Sequence, residues 1–126
     1  MFFPFMVTGD DSAFLLDELA ATELVAYSTR LLRSDYSGSA IRIRRASDDA
    51  ELDIGFSGDN LDESAITTHG AGTQCFVVTL YDQAGSNDAT QATKALQPEI
   101  TNASNVVHKI NGVPAMFFDS GRDQGL

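Results

Sequence analysis

Histidine and cysteine most often carry acid–base, nucleophilic or metal chemistry at neutral pH. Both are scarce in this chain, which has only His69, His108 and Cys75. No His-Glu-x-x-His pair exists, and neither histidine has an acidic residue at the spacing that would aim both from one helix at a metal. His69 reads as the close of a short helix, where a histidine suits the negative end of the dipole. A single cysteine can close no intrachain disulfide and build no thiolate zinc site. Within Gln74-Cys75-Phe76-Val77-Val78 it reads as a small buried hydrophobe. No serine lies in a Gly-x-Ser-x-Gly elbow. Gly70-Ala71-Gly72 leads into a strand-like run rather than a helix, so the glycine cradle of nucleotide sites is absent.

Carboxylates are the abundant group, with 18 acidic against 8 basic residues and a formal net charge of −10. Two runs gather several oxygens, Asp48-Asp49-Ala50-Glu51-Leu52-Asp53 and Asp82-Gln83-Ala84-Gly85-Ser86-Asn87-Asp88. Neither matches the twelve-residue calcium loop with its closing glutamate. Turn hydrogen bonding by Asp and Asn side chains accounts for both. Glycoside cleavage needs two carboxyl groups at a set separation across the scissile bond, but in so acidic a chain the presence of some such pair singles out none. The sequence therefore assigns no catalytic residue, no cofactor and no metal. Its charge disfavours nucleic acid and anionic lipid as partners. Arg30, Arg33, Arg42, Arg44 and Arg45 cluster just ahead of Asp48, Asp49, Glu51 and Asp53, and ion pairs between the two groups are expected.

The elements that would hold these residues can be read from pattern. The length of 126 residues suits one domain, and a hydrophobic fraction of 43% suffices for a core. No apolar run reaches the ~20 residues of a membrane-spanning helix. Residues 1–10 form an apolar amino-terminal arm, Met1-Phe2-Phe3-Pro4-Phe5-Met6-Val7 and its turn, without the basic start of a secretion signal. Residues 11–126 are expected to form a single helix-plus-β-sandwich domain. From Asp11 to Arg33 the apolar spacing predicts a helix, or two helices broken near Ala21-Thr22. Ile41 and Ile43 should face a core while Arg42 and Arg44 face out, and Leu52 to Phe56 alternates again. Leu61 to Thr68 is expected to be a helix capped by Asn60. Gln74 to Tyr81 reads as a central strand, Ala89 to Ala92 as a following segment, and Pro98 to Thr101 as a short edge strand. Asn111-Gly112, between Val106–Ile110 and Val113–Phe118, predicts a two-residue hairpin turn with both residues at positive φ.

Three phrases in order carry a family likeness: Ala26-Tyr27-Ser28-Thr29-Arg30-Leu31-Leu32; Tyr36-Ser37-Gly38-Ser39 through Asp48-Asp49; and Thr79-Leu80-Tyr81-Asp82-Gln83-Ala84-Gly85-Ser86-Asn87-Asp88. The series resembles the amino-terminal part of the catalytic domain of α-L-arabinofuranosidase B, glycoside hydrolase family 54, over about residues 22–119. It also looks like domains fused into phage tail and virion proteins, where Asn-Gly-x-Pro-Ala and an apolar strand recur much as in Asn111 to Phe118. The resemblance implies a mainly β fold, a concanavalin or laminin-G-like jelly-roll β-sandwich, complete or partial. It places the family's nucleophilic glutamate, acid aspartate and adjacent cysteine pair later in that domain than Leu126, so none carries over to a residue here. Since a fold without its site does not license an activity, the expectation is a non-enzymatic structural or interaction module of a phage virion, a tail or capsid-surface protein. That expectation brings other virion subunits, a homo-oligomer and carbohydrate as partners, with assembly in the host cytoplasm. The alternative is a truncated or degenerate arabinofuranosidase-like glycoside hydrolase.

Overall fold

Alternation of isoleucine with arginine sets the central sheet. In β1 (Ile41–Arg45), Ile41 and Ile43 are fully buried, and Arg42 lies on the opposite face, where solvent reaches it. Each isoleucine buried in this way contributes roughly 1.5–3 kcal/mol. A computed structural model describes Phe14, Leu16, Asp17 and residues 25–126. After β1 come β2 (Glu51–Ile54), β3 (Phe56–Ser57), β4 (Asn60–Leu61), helix α1 (Glu63–Gly70), β5 (Cys75–Leu80) and β6 (Ala89–Thr90). A 3-10 turn (Lys94–Leu96) and the pair β7 (Lys109–Ile110) and β8 (Val113–Pro114) complete the order. One antiparallel sheet runs β2-β1-β5-β6, and β3-β4 and β7-β8 form separate pairs. Among the described residues this is a mainly β fold.

A β-bulge decides which residues of β5 face the core. Arg42 pairs with Thr79 but Ile43 pairs with Val77, so Val78 is the extra residue. Its carbonyl is not orphaned, because the Gln91 amide donates to it at 2.8 Å. The bulge lets Thr79 share the face of Arg42 while Val77 shares that of Ile43. Beyond it Cys75 falls on the core side and Phe76 on the outer side, beside Arg44. Ala40, Ile41, Ile43, Ile54, Leu61, Ile66, Cys75, Val77 and Ile100 then form one buried cluster.

Helix α1 closes this core through Ile66. Asp62 caps it, accepting from the Ala65 amide, because a short carboxylate satisfies a first-turn donor. The expected cap, Asn60, instead pairs with Ser57 in β4. At the other end a Cβ on Gly70 would stand 2.3 Å from Asn105 Oδ1, so any larger residue would have to displace the Asn105 side chain. The Asn105 side-chain amide donates to Thr67 O at 2.8 Å and so serves one of the helix's last carbonyls.

Three further sequence expectations change. Residues 25–33 are not helical: they run extended beside β4, with Leu31 N donating to Asp59 O, Leu61 N to Thr29 O, and Arg30 bridged to Asn60. The remainder of the expected helix, except for Phe14 and a turn at Leu16-Asp17, lies outside the described residues, as does the 1–10 arm. Pro98 to Thr101 is no edge. It lies between β5 and the segments at Val107 and Phe117, and Pro98, Ile100 and Thr101 are fully buried. Arg44 points away from the isoleucines as expected but is covered there, only 7% exposed. The hairpin forms as the Asn-Gly pair requires, with φ of 52° at Asn111 and 78° at Gly112.

Candidate functional site

The residues of the Tyr81-Asp82-Gln83 step point their polar groups back into the chain. Asp82 is 2% exposed, and its carboxylate accepts amide bonds from Ala26 and Ala84 at 2.9 Å and from Asn87 at 3.1 Å. Burial alone would raise its carboxyl; the converging amides outweigh that and hold it below the usual range. Gln83, equally buried, accepts from Leu32 N at 2.9 Å and donates to Arg30 O at 2.8 Å and Ser28 O at 3.3 Å. The two side chains latch the extended segment 25–32 to the end of β5. A segment whose amides and carbonyls are taken in this way has none to spare for a helix, which is the physical reason the apolar spacing misled there.

The outer face of the sheet is an ion-pair field. Arg42 grips Asp53 with two bonds at 2.7 and 3.0 Å, and Tyr81 donates to the same carboxylate at 2.6 Å. The Tyr81 phenol is pushed up to about 12, by burial first and then by this bond to Asp53. Glu51 stands 3.7 Å from Arg42. Arg44 donates to Asp49 at 2.8 Å and to Gln97 at 2.9 Å, with its guanidinium 4.8 Å from the centre of the Phe76 ring. Lys94 takes the other oxygen of Asp49 at 2.5 Å. On the other face, beside α1, Arg45 holds Asp48 with two bonds of 2.7 Å, which keep that carboxyl far below its usual range. The expected pairing of the arginine cluster with Asp48, Asp49, Glu51 and Asp53 is present for Arg42, Arg44 and Arg45. Arg33 pairs with Asp35 instead.

These bonds also show what the two oxygen-rich runs do. Asp48, Asp49 and Asp53 neutralise arginines and Asp82 collects amides. Among the described residues no group of three His, Cys, Asp or Glu side chains is placed to hold a metal. Cys75 is fully buried, and burial pushes its thiol up, away from nucleophilic use. His69 sits in the last turn of α1, its Nε2 2.9 Å from Ala50 O. Since a carbonyl can only accept, that nitrogen carries the proton. His108 Nε2 is 3.3 Å from Glu99, and its ring stacks on Phe117 at 5.2 Å.

One open pocket of about 580 Å³ lies between α1 and the edge strand β2, lined by Arg45, Leu52, Asp62, Ser64, Ala65, Thr68 and His69. Sequence reasoning missed it. Ser64, Thr68 and His69 share a helix face through their spacing, but that they meet Arg45 and Leu52 depends on how α1 lies across the sheet.

The catalytic-domain model of α-L-arabinofuranosidase B matches residues 20–116. α-L-Arabinofuranosidases B of Aspergillus niger and Aspergillus kawachii are 40% identical to this chain over 68 residues, 52% of it. Two solved structures of a GH54 α-L-arabinofuranosidase superpose with a TM-score of 0.53 at 32% identity. One was soaked with a cyclic sulfate inhibitor; the other, a Glu-to-Gln mutant, with 4-nitrophenyl α-L-arabinofuranoside. Each superposition covers 60% of this chain. The chain belongs to the arabinofuranosidase B catalytic-domain family. It spans only 14% of the length of those curated relatives and 19% of the solved chain.

The family match corrects the functional expectation. A non-enzymatic phage tail or virion module is overturned, because the relatives and structures matched are glycoside hydrolases and nothing among them supports a viral, virion or structural-protein context. The alternative, an arabinofuranosidase-like hydrolase, is the one these matches favour.

Proposed function

We propose that this chain is part of a catalytic domain that hydrolyses α-L-arabinofuranosides, in which it supplies scaffold rather than the reacting carboxylates. The carrying observation is the family match across residues 20–116, which takes in the Asp82–Gln83 latch and the whole of the four-stranded sheet. In this reading the sheet β2-β1-β5-β6 is one layer of a concanavalin or laminin-G-like jelly roll. Its outer carboxylates are spent on arginines. A carboxylate held by a bidentate guanidinium is a poor proton donor and a poor nucleophile. Asp48 and Asp53, and Asp82 with its three backbone amides, therefore shape the domain, and the two carboxyl groups that cleave the glycoside are supplied from elsewhere in the enzyme.

The test is hydrolysis of 4-nitrophenyl α-L-arabinofuranoside by the protein expressed from its complete reading frame. Release of 4-nitrophenol is the expected result. A folded protein that releases none above a heat-denatured control overturns the proposal.

A further inference from the structure

Strand β2 is the outer strand of its sheet, and it pairs with β1 alone. The Arg45 amide donates to Ala50 O at 3.0 Å, which sets the phase of the ladder. Bonded positions alternate along an antiparallel pair. Ala50, Leu52 and Ile54 therefore turn their peptide groups toward β1, and Glu51 and Asp53 turn theirs away. Among the described residues nothing bonds the outward N–H and C=O groups of Glu51 and Asp53. The free stretch is bounded, because Gly55 O already accepts the Asp62 amide at 3.1 Å. Within it Glu51, Leu52 and Asp53 are all exposed, and β2 carries neither a proline nor a bulge. An edge of this kind is a template for one more strand.

The side chains decide which strand fits. Glu51 and Asp53 lie on the outer face, where Arg42 gives Asp53 two bonds and stands 3.7 Å from Glu51. One guanidinium thus serves two carboxylates, and a negative charge is left over. On the opposite face Leu52 borders the depression beside α1, and Asp62 lines it with a carboxylate whose bond is to the Ala65 amide rather than to a cation. A second copy of this edge is a poor occupant, because antiparallel pairing would set its acids against these, and like charges directly opposite are destabilising. A strand in which lysine or arginine alternates with an apolar residue presents a cation to Glu51 and a hydrocarbon surface to Leu52. We infer that the free edge of β2 receives an extended, basic segment of another polypeptide as an additional strand. The inference is independent of the hydrolase reading, since it uses only the backbone and charges of this edge.

The experiment follows backbone amides by NMR, in the protein expressed from its complete reading frame. In the free protein the Glu51 and Asp53 amides should exchange rapidly with solvent while that of Leu52 is protected. The probe is a short synthetic peptide in which lysine alternates with valine. Saturable shifts along β2 are expected, with slowed exchange at Glu51 and Asp53. The same peptide with proline at its centre keeps the charge and loses the ladder, and its Kd should be about tenfold higher or more. A glutamate–valine peptide should not bind. Glu51→Gln should weaken binding several-fold and make it less sensitive to salt. Glu51→Pro removes an outward amide but no bond to β1, so it should leave the protection of Leu52 in place and abolish binding. Slow exchange at Glu51 and Asp53 in the free protein would mean that the edge is already covered, and would overturn the inference. Failure of the lysine peptide to saturate, equal binding of either comparator, shifts confined to another surface, or an unchanged Kd in the two variants would each do the same.

Discussion

At Asp82 a single carboxylate gathers three backbone amides, one of them from a remote stretch, and its protonation should be felt in stability. Asp82→Asn turns part of an acceptor into a donor facing amide N–H groups, and a loss of about 1–3 kcal/mol is expected in urea melts. The pH dependence follows from the direction of its shift. The folded carboxyl lies below the ordinary value, so its contribution is complete above about pH 4 and disappears as pH falls through the folded value. The gap between wild type and Asp82→Asn should therefore narrow below pH 4. Tyr81 carries the opposite sign. Its phenol, raised to about 12, stabilises the fold fully below about pH 10 and loses that contribution between there and 12. Tyr81→Phe should melt with less alkaline dependence over that window. The sequence shows Asp82 as an oxygen in a polar loop, and that much is right. That its target includes the amide of Ala26 could not be read, because no local pattern links the two.

Elements were legible wherever one period dominated. The alternation in Ile41 to Arg44, the apolar run at Cys75 to Leu80 and the Asn111-Gly112 turn all describe local chemistry, and the structure keeps them. Where two local solutions compete, tertiary contacts decide. Asn60 and Asp62 are both good caps, and pairing with Ser57 draws Asn60 into a strand and leaves the helix to Asp62. Asp62→Ala should cost about 1 kcal/mol in thermal or denaturant unfolding. In the hairpin, Gly112 at φ 78° is a conformation that a β-branched residue adopts only under strain. Gly112→Val should destabilise by roughly 1 kcal/mol or more in the same measurement. The bulge at Val78 has no sequence signature at all, yet it fixes which face of β5 each residue serves. The candidate pocket was invisible for a related reason, since Leu52, Arg45 and His69 meet only once α1 has settled on the sheet.

For the whole molecule, the acid-rich composition spoke to excluded partners and was silent on architecture, whereas the ordered phrases from Ala26 to Asp88 identified the family. The functional expectation failed because the lack of a site in these residues was weighed as the lack of an activity. Glycosidase sites draw carboxylates from distant parts of a domain, so a stretch that matches 14% of its relatives can be all scaffold and still belong to an enzyme. The latch has a further consequence, in time rather than space. The bonds from Asp82 and Gln83 to residues 26–32 join positions 51 to 56 residues apart. At ordinary translation speeds, segment 25–32 leaves the ribosome roughly 3–10 s before its partners do. Its peptide groups must spend that interval bonded to water, and the contact that closes them is among the costliest in chain entropy. Gln83→Ala should then hasten unfolding far more than it slows folding, as measured by stopped-flow chevrons. Asp82 and Gln83 would be the residues that finish the fold after the sheet has begun it.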